Sequence, residues 1–131
     1  ASDVSECLGV NSRVQLAAAT CALQSRINKE HMAAGVTMWD PASVWIGPDV
    51  KIAPDVELLP QTFLLGKTQV GEDSVIGPNT RLTDTVIGSG CTIDETVAIE
   101  ARIDDDATCG PRAYLRPGAH LCEGAKAGTH V

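Results

Sequence analysis

Aromatic rings, basic clusters and long apolar runs are all scarce in this chain. Only 3% of its 131 residues are aromatic although 44% are hydrophobic, so any core must be filled by aliphatic and small side chains. Ten basic residues stand against 17 acidic ones, a formal net charge of −7 with no block of Lys or Arg, and a nucleic-acid backbone would be repelled rather than held. No apolar run approaches the ~20 residues that a bilayer span needs, and the opening Ala-Ser-Asp-Val-Ser-Glu lacks the basic-then-apolar form of a signal peptide. No nucleic-acid partner and no membrane span are therefore expected. The five cysteines (Cys7, Cys21, Cys91, Cys109, Cys122) are odd in number and contain no CxxC pair, which argues against a disulfide framework or a zinc site and for reduced thiols in the cytoplasm. A chain of this length builds one domain and part of a second. It begins without Met, directly on strand-like sequence, as expected of an excised piece.

What the chain does have is a period of six. Apolar residues fall at Ile46, Ile52, Leu58, Leu64, Val70, Ile76 and Leu82, then at Ile87, Ile93 and Ile99, then at Ile103, Cys109, Leu115, Leu121 and Ala127, with short steps from 82 to 87 and from 99 to 103. Four positions after most of these anchors stands a small or β-branched residue: Val50, Val56, Thr62, Thr68, Ser74, Thr80, Cys91, Val97, Ala107, Ala113, Ala119, Ala125, Val131. All seven prolines lie two residues after an apolar anchor (Pro41 after Trp39, then Pro48, Pro54, Pro60, Pro78, Pro111, Pro117). Proline has no N–H to give to a central strand, so these positions are corners. A short strand and a bend every six residues wind into a three-sided prism of eighteen residues per coil. Fifteen such rungs make about five coils, stacked to roughly 24 Å at ~4.8 Å per strand. A column so narrow admits Ile, Val, Leu, Ala and Thr but few rings, which accounts for the composition. The alternative, an ordinary β-sandwich, does not produce so strict a phase.

Upstream, Leu16, Thr20, Leu23, Ile27 and Ala34 recur at helical intervals within an Ala-rich stretch. Ser12 with Gln15 has capping-box spacing and Gly35 supplies a stop, so a helix is expected over about 13–34. It reads as a spacer between two domains, or as a helix packed on the solenoid.

The string Gly9-Val10-Asn11-Ser12-Arg13-Val14-Gln15-Leu16-Ala17, the helix, Ala34-Gly35-Val36-Thr37-Met38-Trp39-Asp40-Pro41, the hexapeptide rungs and Tyr114-Leu115-Arg116-Pro117-Gly118-Ala119 together resemble the bacterial bifunctional N-acetylglucosamine-1-phosphate uridyltransferase/glucosamine-1-phosphate acetyltransferase over essentially the whole chain. The resemblance implies that residues 1–12 are the last strand of a truncated nucleotidyltransferase domain, 13–35 a linker helix, and 36–131 a left-handed parallel β-helix truncated at its C-terminus. A period of six is itself silent on the hand. The resemblance further implies a homotrimer formed through the β-helix, sugar phosphates as small-molecule ligands, acetyl-CoA and UTP as co-substrates, and Mg²⁺ in the uridyltransferase site.

Two residues match the family's motifs. Asn11 corresponds to the first Asn of the family's GVNNR segment and implies contact with Mg²⁺ and the nucleotide sugar, a reasonable role for an amide oxygen; Ser12 departs from the second Asn. Read alone, either residue is a helix N-cap. Arg116 corresponds to the arginine that holds the phosphorylated amino sugar in the acetyltransferase site, and its forked guanidinium at a corner suits phosphate. His130, in Lys126-Ala127-Gly128-Thr129-His130, superficially matches the family's catalytic Lys-Ala-Gly-His segment but falls in the wrong rung. The catalytic histidine and the acetyl-CoA residues are expected beyond Val131, as is a lysine stacked over Arg116. His31 and His120 read as surface residues. No catalytic residue is therefore expected in this chain. A non-catalytic trimerisation scaffold and another hexapeptide acyltransferase are the alternatives, and an open column end at Val131 is expected to favour self-association.

Overall fold

The computed structural model describes residues 12–128; Cys7, Asn11, His130 and Val131 lie outside them. A helix, α1 (Ser12–Ala33), leads into sixteen short strands. The first coil carries β1 (Thr37–Met38), β2 (Val44–Ile46) and β3 (Lys51–Ile52). The second carries β4 (Glu57–Leu58), β5 (Thr62–Leu65) and β6 (Gln69–Val70), and the third β7 (Val75–Ile76), β8 (Thr80–Thr83) and β9 (Val86–Ile87). The fourth has β10 (Thr92–Ile93), β11 (Thr96–Ile99) and β12 (Arg102–Ile103). The fifth has β13 (Thr108–Cys109), β14 (Ala113–Leu115) and β15 (His120–Leu121), and β16 (Lys126–Ala127) opens a sixth. Every third strand pairs in parallel, giving one sheet of six strands and two of five. The chain is a parallel β-helix of about five coils, as the period required.

Each rung aims two residues inward, the anchor and the residue two before it. Leu58, Leu64, Ile76, Leu82 and Ile93 are wholly buried, as are Thr62, Thr68, Ser74, Thr85 and Thr96. Cys109 and Ala127 stand one above the other in register, both inside. All seven prolines lie outside the strands. None of the four aromatic residues is in the core: Trp39, Phe63 and Tyr114 are exposed and Trp45 is half-buried.

Two anchors differ from the sequence reading. In β11 the residue that stands over Leu82 and under Leu115 is Ala98, not Ile99. Ala98 is fully buried, with Thr96 as its inward partner, while Val97 and Ile99 turn outward. The five-residue steps are thus 82 to 87, 93 to 98 and 98 to 103. Strand alternation makes the choice between 96/98 and 97/99 a one-residue slip, and hydrophobicity alone picks the wrong side. At the first coil Met38 points inward and Trp39 out, with 66% of its surface exposed.

The shortened steps need special corners. Asp84, Glu95 and Glu100 adopt φ of 49°, 43° and 48°, and Asp55, Asp73 and Asp106 take φ near 60° in the longer corners. Acidic side chains, Asp above all, occupy many of these left-handed positions, so part of the net negative charge is a by-product of winding. Coil shortening also leaves backbone donors to satisfy. Thr85 N–H bonds the Thr68 hydroxyl (3.3 Å) and Cys91 N–H the Ser74 hydroxyl (3.1 Å), seventeen residues back. Thr68 in turn donates to Leu65 O at 2.7 Å. No buried side-chain polar atom among the described residues lacks a partner.

α1 ends where Gly35 was read as a stop. Val36 N–H reaches His31 O (3.0 Å) and Gly35 N–H reaches Met32 O (3.1 Å), a Schellman closure with Gly35 at φ +107°. The expected apolar stripe does not dock as a whole. Leu16 and Leu23 are exposed; Ile27, Asn28 and Met32 meet the first coil. Asn28 is buried and donates to Pro41 O (2.9 Å) and Val44 O (3.0 Å) while accepting from Gln24 (2.7 Å), so a single amide pins the helix to β2.

This packing sets the cost of two kinds of substitution. Thr68→Val keeps the volume but orphans the Thr85 N–H, and should cost about 1–3 kcal/mol in urea unfolding. At Gly110 (φ +98°) an added Cβ would lie 1.7 Å from Asp94 O, whereas at Gly118 (φ +89°) it would meet nothing within 4 Å. Gly110→Ala should therefore cost at least ~3 kcal/mol and Gly118→Ala only ~1 kcal/mol, the cost of the left-handed backbone; equal melting temperatures would contradict the stacking.

Candidate functional site

Of the two residues matched to the family's sites, Asn11 lies outside the described residues and Arg116 is placed. Arg116 is the first residue of the corner Arg116-Pro117-Gly118-Ala119 joining β14 to β15. Its inward neighbour Leu115 anchors the rung, so alternation throws the guanidinium outward. The corner is closed by Ala119 N–H to Arg116 O (2.9 Å) and tied to the coil below by Gly118 N–H to Glu100 O (3.0 Å). Arg116 is exposed, and its guanidinium makes no hydrogen bond or ion pair with another described residue. Arg112, one corner earlier, instead faces Glu95 at 3.9 Å. An unengaged arginine on a stiff corner is available to an anion.

Tyr114, two residues before Arg116, projects from the same outward side and is 58% exposed. Register makes it the top of a column running Trp45, Phe63, Arg81, Val97, Tyr114 up one face. The sequence motif contained Tyr114 but gave no hint that three of the four rings share one column; period-two alternation together with coil length was the signal.

On the adjoining face His120 stands in register above Arg102. Both reach Asp104: His120 Nε2 lies 2.7 Å from Oδ2 and Arg102 Nε 3.1 Å from Oδ1. The hydrogen bond from His120, then that from Arg102, holds the Asp104 carboxyl below the usual carboxylate range. His120 is thus a surface residue, as read, but not a solitary one. His31 is half-buried, and desolvation lowers its pKa against the opposing charge of Glu30. Burial pushes the Cys91 and Cys109 thiols up, which makes them packing groups rather than nucleophiles. No three His, Cys, Asp or Glu side chains among the described residues converge on a metal position. A cavity of about 400 Å³ between α1 and the first coil, lined by residues that include Cys21, Asn28, Met32, Ala42 and Trp45, is four coils from Arg116 and mostly apolar.

No family model matches the chain. Curated relatives do: the bifunctional protein GlmU of Streptomyces avermitilis is 48% identical over all 131 residues, that of Desulfitobacterium hafniense 50% over 129, and that of Heliobacterium modesticaldum 46% over 129. Over its whole length the chain is similar to a segment of GlmU proteins. It spans 27–28% of the length of these GlmU relatives. Among solved structures, a GDP-perosamine N-acetyltransferase mutant from Caulobacter crescentus aligns at 12% identity over 82% of this chain and 60% of that one, with a TM-score of 0.31, too loose a match to carry an argument. No described helix is long and apolar enough to cross a membrane.

A lowered pKa in the folded state means that Asp104 adds stability above the unfolded carboxyl value of ~3.9 and loses it as pH falls through the folded value. The difference in melting temperature between wild type and Asp104→Asn should accordingly shrink between pH 5 and pH 2.5; a constant difference would show that the carboxylate's charge is idle.

Proposed function

We propose that this chain is a piece of a bifunctional transferase that acetylates glucosamine-1-phosphate with acetyl-CoA and uridylates the resulting N-acetylglucosamine-1-phosphate with UTP, giving UDP-N-acetylglucosamine. One observation carries the reading: a chain whose whole length matches a segment of GlmU proteins presents Arg116 at an outward corner with its guanidinium unengaged among the described residues. Arg116 grips the sugar phosphate by its fork, and the stiffness of the Pro117 corner limits the entropy lost on binding. Residues 1–12 are the end of the nucleotidyltransferase domain, 13–35 the linker and 36–131 the start of the acetyltransferase β-helix. Asn11 binds Mg²⁺ and nucleotide sugar in the intact enzyme, its amide oxygen suiting a hard cation. The parent works in the cytoplasm, consistent with four described cysteines that are all free.

The same reading makes the molecule a homotrimer through its β-helix. An outward column of Trp45, Phe63, Val97 and Tyr114, broken only by Arg81, is an apolar strip suited to burial against another copy. A purely non-catalytic trimerisation scaffold would use the same strip, and differs in having no need of Arg116.

Sugar-phosphate binding separates these readings, and sedimentation tests the strip that they share. The 131-residue chain should show no acetyl transfer from acetyl-CoA to glucosamine-1-phosphate, and Arg116→Ala should weaken sugar-phosphate binding by about 10–100-fold, the ~1.5–3 kcal/mol of a charge-assisted contact; unchanged affinity would leave the scaffold. Phe63→Asp should shift sedimentation toward monomer without altering the circular dichroism spectrum, and an unshifted trimer would place its interface elsewhere.

A further inference from the structure

The Arg116 corner is a stiff four-residue link between two strands. Its entry is set by β14, paired with β11 over three residues, and Pro117 removes one soft dihedral. Its exit is β15, two residues long, whose backbone pairs with β12 alone among the described residues. The side chain that fastens this exit is His120, bonded at 2.7 Å to Asp104 on the coil below. We propose that His120 is a positioning residue for Arg116: when its imidazole is protonated the ion pair with Asp104 clamps β15, and the corner carrying Arg116 tightens.

The inference rests on the reading of Arg116 as the phosphate-binding residue and adds a pH-dependent control to it. Charged groups surround the imidazole. Arg102 lies beneath it on β12, while Asp104, Asp105 and Glu123 share the adjoining polar hollow, and Glu100 lies under the corner itself. Asp105 is already engaged by Ser89 N–H at 2.9 Å and Asp104 by Arg102. With His120 protonated, Arg102, His120, Asp104, Asp105 and Glu123 sum to −1; with it neutral they sum to −2. Histidine as a residue type changes charge across roughly pH 5–8, the range over which the test is run. Above it the neutral ring still donates to Asp104, but without the ion-pair component.

The test needs no ligand at first. In the 131-residue chain, the Gly118 and Ala119 amide resonances should move between pH 5 and 8 with the midpoint of the His120 ring, while those of Lys51 and Ile52 stay still. His120→Gln should flatten the transition and Asp104→Asn should reduce its amplitude; both side chains are at the surface, and circular dichroism confirms that each variant folds. Then glucosamine-1-phosphate, followed by calorimetry, should bind wild type about threefold more tightly than His120→Gln at pH 6, the size of an exposed ion pair, and equally at pH 8. Comparing variants at each pH cancels the ligand's own ionisation. Corner amides that ignore the His120 titration, or that still follow pH in His120→Gln, overturn the proposal. If Arg116→Ala binds as wild type does, the phosphate reading fails instead, while the ligand-free coupling stands on its own evidence.

Discussion

Each inward side chain in this molecule must stand on the one a coil below, within a column only a few side chains across. That stacking joins strands too short to hold a sheet by themselves, since most contribute two residues. Inward Leu, Ile, Val, Thr and Ala supply the buried apolar surface, and parallel pairing every third strand satisfies the backbone. The column tolerates little variation in girth, so changes in rung length appear at the corners. Coils shorten from eighteen residues to seventeen and sixteen, and where they do, buried hydroxyls take the place of carbonyls as acceptors for the next coil's N–H groups.

The outer surface follows from that core. With no room for rings inside, the aromatics are expelled, and three of the four gather along one face. Corners that need left-handed backbone recruit Asp, Asn and Gly, which gives the solenoid acidic edges. Against this background Arg116, a corner arginine unpaired among the described residues, is chemically conspicuous. A histidine four residues on is held by the carboxylate cluster of the previous coil, which joins the mechanical role of the corner to its electrostatics.

The helix obeys a different constraint. Its Ala-rich composition suffices to make it helical, and Gly35 to stop it, but only its last turns meet the solenoid, through Ile27, Met32 and one buried amide. Leu16 and Leu23 had the spacing of a docking stripe, yet spacing shows that residues share a helix face and not that anything covers it. The same limit applies to Ile99: its hydrophobicity suggested an anchor, but the height of Leu82 below and Leu115 above reserved the inward place for Ala98.

What could be read from residues alone was the period, nearly every inward anchor, the corners and the ends of the helix, because each depends on whether one side chain prefers core or water, or on the backbone a proline or glycine allows. The motif around Arg116 was equally visible, being contiguous. Which surface groups meet was decided by the tertiary structure: the ring column, the Arg102–Asp104–His120 cluster and the inward choice in β11 join residues sixteen to eighteen apart. That distance is the sum of three rungs of unequal length, so an error of one residue in any rung moves every outward neighbour to another face, and only the folded coil fixes the sum.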